Sequence, residues 1–145
     1  TELNDETGKT IREKGKEYGA TTGRPRRCGW FDATVVRYAC TINGITHINL
    51  TKLDILSGMP ILKIAIGYQY NGKMLDTYPA SLDAQEKMET IYEDIPGWDK
   101  PLIDCRKFED LPVNAQKYVR RIEELTKTPV AFIGVGQDRK QMITL

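Results

Sequence analysis

Residues 20 to 27 read ATTGRPRR and set Arg24, Arg26 and Arg27 behind two threonines and a glycine. Guanidinium groups form planar, two-pronged pairs with carboxylates and phosphates, while threonine hydroxyls and the N–H groups of a glycine turn add shorter-range donors. Thr21, Thr22, Gly23, Arg24 and Arg26 therefore suit a small ligand carrying several negative charges. A solvated basic loop, or contact with RNA phosphates, would use the same residues. A second candidate is TKLD, Thr51 to Asp54, directly after the β-prone stretch THINL. A carboxylate just beyond a strand accepts two parallel hydrogen bonds from the ring N–H and exocyclic amine of guanine, a pattern adenine lacks; a lysine two residues earlier lays its methylene stem over the base. The plainer alternative is an exposed Lys52 and an Asp54 that caps a helix. A third candidate is Gly134-Val135-Gly136, where a strand empties into a glycine turn. Nucleotide-contacting turns in α/β proteins look like this, and so do other tight turns.

Other patterns carry less. Gly8-Lys9-Thr10 copies the end of a GxxxxGK[ST] phosphate loop, but Leu3 stands where the first glycine belongs and no strand precedes it. Asn49-Leu50-Thr51 matches a glycosylation acceptor inside a buried-looking strand, in a chain without a secretion signal. Cys28 sits beside Arg26 and Arg27 but has no partner base, which favours packing over reactivity. The three cysteines are widely spaced with no CxxC pair, and His47 is the single histidine, so a disulfide framework, a zinc site and a histidine dyad are not indicated. His47 is expected to be a hydrogen-bonded structural group within its apolar strand.

The elements that must hold these groups follow from spacing. Residues 5 to 18 predict a solvated helix, acidic at its start and lysine-rich later, weakened by Gly8 and Gly15. Phe31, Val35, Tyr38, Ala39 and Ile42 recur at helical spacing, with Asp32 near the start and Asn43-Gly44 as a stop. LKIAIGYQY places Leu62, Ile64, Ile66, Tyr68 and Tyr70 on one strand face, and Asn71-Gly72 turns the chain into KMLDTYPA as a hairpin. Residues 81 to 101 stay largely unassigned, with Pro96-Gly97 read as a turn. Pro112 opens a helix whose stripe is Leu111, Ala115, Tyr118, Val119, Ile122 and Leu125, and VAFIGV (130 to 135) reads as a buried strand.

Helices alternating with strands over 145 residues, 40% of them hydrophobic and 28% charged, predict one α/β domain, a mixed sheet with flanking helices and a β-hairpin. A formal net charge of +1 argues against wholesale attraction to nucleic acid. No apolar run approaches the roughly 20 residues needed to span a bilayer, and the N-terminus TELNDETGK is charged. A reducing cytosol is the expected setting.

In order along the chain, ATTGRPRRCGWFD, TKLDILSG, YEDIPGW, QKYVRRIEEL and GVGQDR together resemble adenylosuccinate synthetase, and the similarity runs through nearly all of the sequence. TKLD also resembles the [NT]KxD base-recognition element of GTP-binding proteins. The family resemblance implies a ligase of AMP biosynthesis: GTP phosphorylates the 6-oxygen of IMP, and the amino group of L-aspartate displaces the phosphate, with Mg2+ present. It implies that Ala20, Thr21, Thr22, Gly23, Arg24, Pro25 and Arg26 grip the aspartate substrate, with Arg24 also touching IMP and Arg26 reaching GTP. Lys52, Leu53 and Asp54 correspond to the guanine-recognition element, and Gly134, Val135 and Gly136 to a second strip of GTP contacts, where some relatives carry hydroxyl side chains. It also implies a homodimer with no nucleic-acid or membrane partner. The phosphate loop, catalytic aspartate and histidine, and magnesium ligands of that family find no counterpart in this sequence. Residues 1–145 are therefore expected to be a single-domain C-terminal portion, inactive alone. The alternative is a non-catalytic nucleotide- or RNA-binding module using the basic loop.

Overall fold

Asp5 accepts a hydrogen bond from the Gly8 backbone N–H at 3.0 Å and so caps helix α1, Glu6–Gly15. The computed structural model describes residues 1–75 and 77–145; Asp76, in the expected KMLDTYPA arm, lies outside the described residues. Helix α1 ends at Gly15, earlier than the spacing predicts, because Lys16 turns left-handed at φ 50° and its N–H closes back on Arg12 and Glu13. Gly8 is not a weak point: a Cβ there would lie 2.1 Å from the Leu3 carbonyl oxygen, so the glycine admits the N-terminal segment that crosses the helix.

The chain continues through β1 (Phe31–Asp32), α2 (Ala33–Asn43), β2 (Ile48–Leu50), a 3-10 turn (Leu53–Leu56), β3 (Met59–Tyr70), β4 (Lys73–Leu75), α3 (Leu82–Lys87), β5 (Glu89–Trp98), α4 (Val113–Thr126), β6 (Val130–Gly134) and β7 (Met142–Thr144). Two mixed sheets result. In the first, β3 is central: it pairs antiparallel with β5 on one edge, and on the other with parallel β1 and antiparallel β4. In the second, of order β2-β6-β7, β2 and β6 run parallel and β7 antiparallel. The expected mixed α/β architecture and the hairpin are present; Asn71 and Gly72 at φ 49° and 75° form the two-residue turn whose twist matches the strands.

Four expectations change. Residues 81 to 101 hold a helix and a ten-residue strand, and Pro96-Gly97 lies inside β5 rather than in a turn. Pro96 is tolerated because β5 pairs on one side, and a Cβ at Gly97 would fall 1.7 Å from the Met59 carbonyl oxygen, so the strand crossing requires glycine. Along β3 the register shifts between Ala65 and Gly67, which leaves Leu62, Ile64 and Tyr68 buried but Ile66 and Tyr70 only half-buried. The α2 stripe faces outward, with Tyr38 at 50% and Ile42 at 61% exposure, while Ala33, Thr34 and Cys40 pack inward. Asp32 caps the helix start by accepting Val35 N–H at 2.9 Å, while its other oxygen takes the Tyr68 hydroxyl. His47 is exposed at the approach to β2 beside Thr46 and carries no core role.

The α4 stripe is buried as its spacing predicts, Leu125 partly, against Leu53, Leu62, Ile64, Ile133 and Ile143. Arg121 of α4 makes a two-pronged pair with Glu93 of β5, with contacts of 2.7 to 3.1 Å, and ties the helix to the first sheet.

Candidate guanine-nucleotide and anion site

Leu50 stands opposite Ile133 in the parallel β2-β6 pair, so both strands release their chains at the same end of the second sheet. That register brings TKLD and the glycine turn together: a Cβ at Gly134 would lie 3.4 Å from the Thr51 Cα and 3.6 Å from the Lys52 N. Ligand contacts in open α/β sheets gather at such carboxyl ends.

Within TKLD each residue has a separate mechanical role. Lys52 takes a left-handed backbone at φ 61°, which costs a non-glycine residue about 1 kcal/mol and is held by its side chain: Nζ donates to the Gly15 carbonyl at 2.7 Å and pairs with Glu17. Leu53, 1% exposed, anchors the 3-10 turn in the core, so only its backbone faces a ligand. Asp54 is half-buried, and its Oδ1 is fully buried with no hydrogen-bond partner among the described residues. An unmet buried carboxylate oxygen is unfavourable, and a donor supplied by a ligand relieves it. Asp54 does not cap a helix, since the 3-10 turn has Lys52 at its cap position and no side-chain cap bond.

In the glycine turn, Val135 is fully buried and its N–H donates to the Gln141 carbonyl at 2.9 Å. Its free contribution to a ligand is therefore its carbonyl. A Cβ at Gly136 would meet Gln141 Oε1 at 2.1 Å, so the loop folds tightly over that side chain, whose Oε1 also accepts from Asp138 N–H at 2.9 Å.

The arginine loop is a hairpin-like excursion. Arg26 N–H donates to Glu17 O at 2.9 Å, Tyr18 and Pro25 bridge, Gly19 N–H donates to Arg24 O at 2.8 Å, and Gly23 at φ 64° closes the tip. Ala20, Thr21, Thr22 and Gly23 occupy that exposed tip, and the Arg24 side chain is exposed beside them. Arg26 and Arg27 diverge. The Arg26 guanidinium pairs with Glu17 at 3.0 Å, whereas Arg27 pairs with Glu2 at 2.6 Å beside the N-terminal segment. Cys28 is buried in the core, as packing requires.

Glu17 is the residue that sequence reasoning missed. Its 20%-exposed side chain takes Lys52 on one oxygen and Arg26 on the other, and these partners, the Lys52 hydrogen bond foremost, hold its carboxyl below the ordinary value. No motif marks a glutamate in KEYG; the signal lies in a contact to a residue 35 positions away. Clefts of about 690, 470 and 430 Å³ elsewhere on the surface contain neither Asp54 nor the loop tip.

The family model described as Adenylosuccinate synthetase matches residues 1–143. The adenylosuccinate synthetase of Desulforamulus reducens is 52% identical over 145 residues, covering 100% of this chain and 34% of the relative, and that of Carboxydothermus hydrogenoformans is 50% identical with the same coverage. Among solved structures, fully ligated adenylosuccinate synthetase from Plasmodium falciparum superposes with a TM-score of 0.96 at 45% identity, over 100% of this chain and 35% of that one. The chain spans about a third of the length of the curated relatives it matches.

Proposed function

Because the chain belongs to the adenylosuccinate synthetase family, we propose that it supplies the guanine-reading and arginine-loop parts of a GTP-dependent ligase that joins IMP to L-aspartate in AMP biosynthesis. The observation that carries this reading is the buried Oδ1 of Asp54, partnerless among the described residues and two positions beyond the Thr51-Lys52 backbone that packs against Gly134. Guanine offers that carboxylate two donors on one edge; adenine offers one, and next to it an acceptor. Lys52 and the backbone of Leu53 frame the base, with Gly134, the Val135 carbonyl and Gly136 on the other side. Arg26 faces the nucleotide phosphates. Ala20 through Arg26 form the aspartate grip, and Arg24 reaches toward IMP as well. Fixed guanidinium groups suit that work because several anions must be neutralised while the reactants are held together.

The residues in hand do not fit a magnesium site: among the described residues no three His, Cys, Asp or Glu side chains gather to hold a metal ion. No helix among the described residues is long and apolar enough to cross a membrane. A cytosolic homodimer is the assembly that the family membership suggests.

The test is nucleotide competition on the purified chain. GTP and GDP are expected to displace a labelled guanine nucleotide while ATP does not, and Asp54→Asn should lower GDP affinity by about 10- to 100-fold, the worth of hydrogen bonds to a charged acceptor. Equal displacement by GTP and ATP would overturn the reading, as would binding to any polynucleotide with a steep salt dependence.

A further inference from the structure

Two segments of the candidate site meet at a single carboxylate. Glu17 stands at the base of the arginine hairpin: its backbone carbonyl accepts from Arg26 N–H at 2.9 Å and its carboxylate takes the Arg26 guanidinium at 3.0 Å. The remaining carboxylate oxygen takes Lys52 Nζ, which also donates to Gly15 O at 2.7 Å. Arg12 Nε adds a bond to Arg26 O at 2.8 Å on the same base. Two cations from different parts of the chain are thus drawn to one anion, where alone they would repel each other. The Arg26 pairing uses NH1, and its other N–H groups have no partner among the described residues and so can serve an anion.

We propose that Glu17 is a positioning residue that locks the guanine-reading turn to the base of the arginine loop, so that ordering one orders the other. The identity of the ligands rests on the function proposed above; the mechanical link does not. Holding Lys52 fixes the left-handed residue from which the Asp54 turn starts, and holding Arg26 fixes the strand that carries Arg24 and the threonine tip. A guanine nucleotide seated on the turn then stiffens the loop that grips the second substrate. The coupling is reciprocal: an anion bound at the loop tightens guanine binding by the same factor.

Amide hydrogen exchange followed by NMR tests the link on the intact 145-residue chain. The reporters are the N–H groups of Gly19, Gly23 and Arg26, which donate within the hairpin. Without nucleotide, Glu17→Gln and Lys52→Met are each expected to speed exchange at these sites about tenfold, with β3 and β5 amides unchanged as proof of folding, and the double variant to add nothing further. Glu17→Asp should restore part of the protection. Loop amides untouched by Lys52→Met, or effects of the two variants that multiply, would overturn the proposal, because a merely local role for Glu17 cannot pass through residue 52. With GDP added, loop exchange should slow in the wild type and not in Glu17→Gln. A wild type that fails to bind GDP sinks the ligand reading instead, while the nucleotide-free comparison still decides the link.

Discussion

Asp54 and Glu17 are two carboxylates with opposite surroundings, and that contrast organises the site. Asp54 keeps one oxygen buried without a donor among the described residues, whereas Glu17 is satisfied on both oxygens by Lys52 and Arg26. In the proposed reading the first receives a ligand and the second positions its neighbours. The Glu17 pairing has a pH signature. Its carboxyl is held below its ordinary value of 4.5, foremost by the Lys52 hydrogen bond; burial opposes the shift, and the Arg26 pairing adds to the lowering. A lowered folded-state value means the pairing is intact above the ordinary value and is lost as the pH falls through the folded one. Nearby Glu13 is occupied by the Tyr18 hydroxyl, and Arg12 bonds Arg26 O, so neither substitutes for it. Protection of the Gly19 and Arg26 amides should therefore hold steady from pH 7 down to the ordinary carboxyl value and fade only as the pH falls below it. Loss of that protection between pH 7 and 6 would contradict the assignment. Of these residues, Asp54, Lys52 and the arginines are legible in the sequence because they fall in motifs. Glu17 is not, since only the fold brings it within reach of Lys52.

At the scale of elements, strong periodicity or strong turn chemistry made the difference. Helix α4 and the Asn71-Gly72 hairpin follow from an apolar stripe and from two left-handed turn residues. Strand β5 carries Glu89, Glu93, Asp94, Pro96 and Gly97, a mixture that leaves the stretch unassigned from the sequence and marks Pro96-Gly97 as a turn. Its polar positions have tertiary uses that no local pattern announces. Glu93 receives Arg121, Asp94 pairs with Lys63 at 3.0 Å, and Gly97 lets Met59 cross. Gly97→Ala is expected to destabilise the chain by about 3 kcal/mol, because its Cβ would collide with backbone rather than a yielding side chain. A thermal melt checks it; a Tm within a degree of wild type would show that the crossing tolerates a side chain. Helix α2 shows the converse failure: spacing found the helix, but its apolar stripe faces outward while Ala33, Thr34 and Cys40 pack inward.

For the molecule as a whole, two mixed sheets share one core through α4, and the candidate site lies where the second sheet's parallel strands end. The arrangement places recognition groups on rigid elements: Leu53 and Val135 are locked in the core, and the turns they carry project outward. The outward α2 face tests how self-sufficient that core is. Ile42 is 61% exposed, so Ile42→Lys should change stability by less than about 0.5 kcal/mol, in contrast to the about 2 to 5 kcal/mol expected for Ile122→Ala at a fully buried position. Urea titrations of the two variants provide the measurement, and a large loss for Ile42→Lys would mean the face is covered in solution. We propose that residues 1–145 by themselves bind guanine nucleotide and do not form adenylosuccinate from IMP, GTP and aspartate. Chromatographic detection of that product from the purified chain would refute the expectation.

The central claim is that the Asp54 carboxylate reads the edge of guanine at the end of β2. A crystal structure of the chain with GDP tests it most directly. The account predicts the ring N–H and exocyclic amine of guanine within about 3 Å of the two Asp54 oxygens, with the base beside Gly134. A guanine bound in any other cleft, with Asp54 Oδ1 still unpartnered, would contradict it.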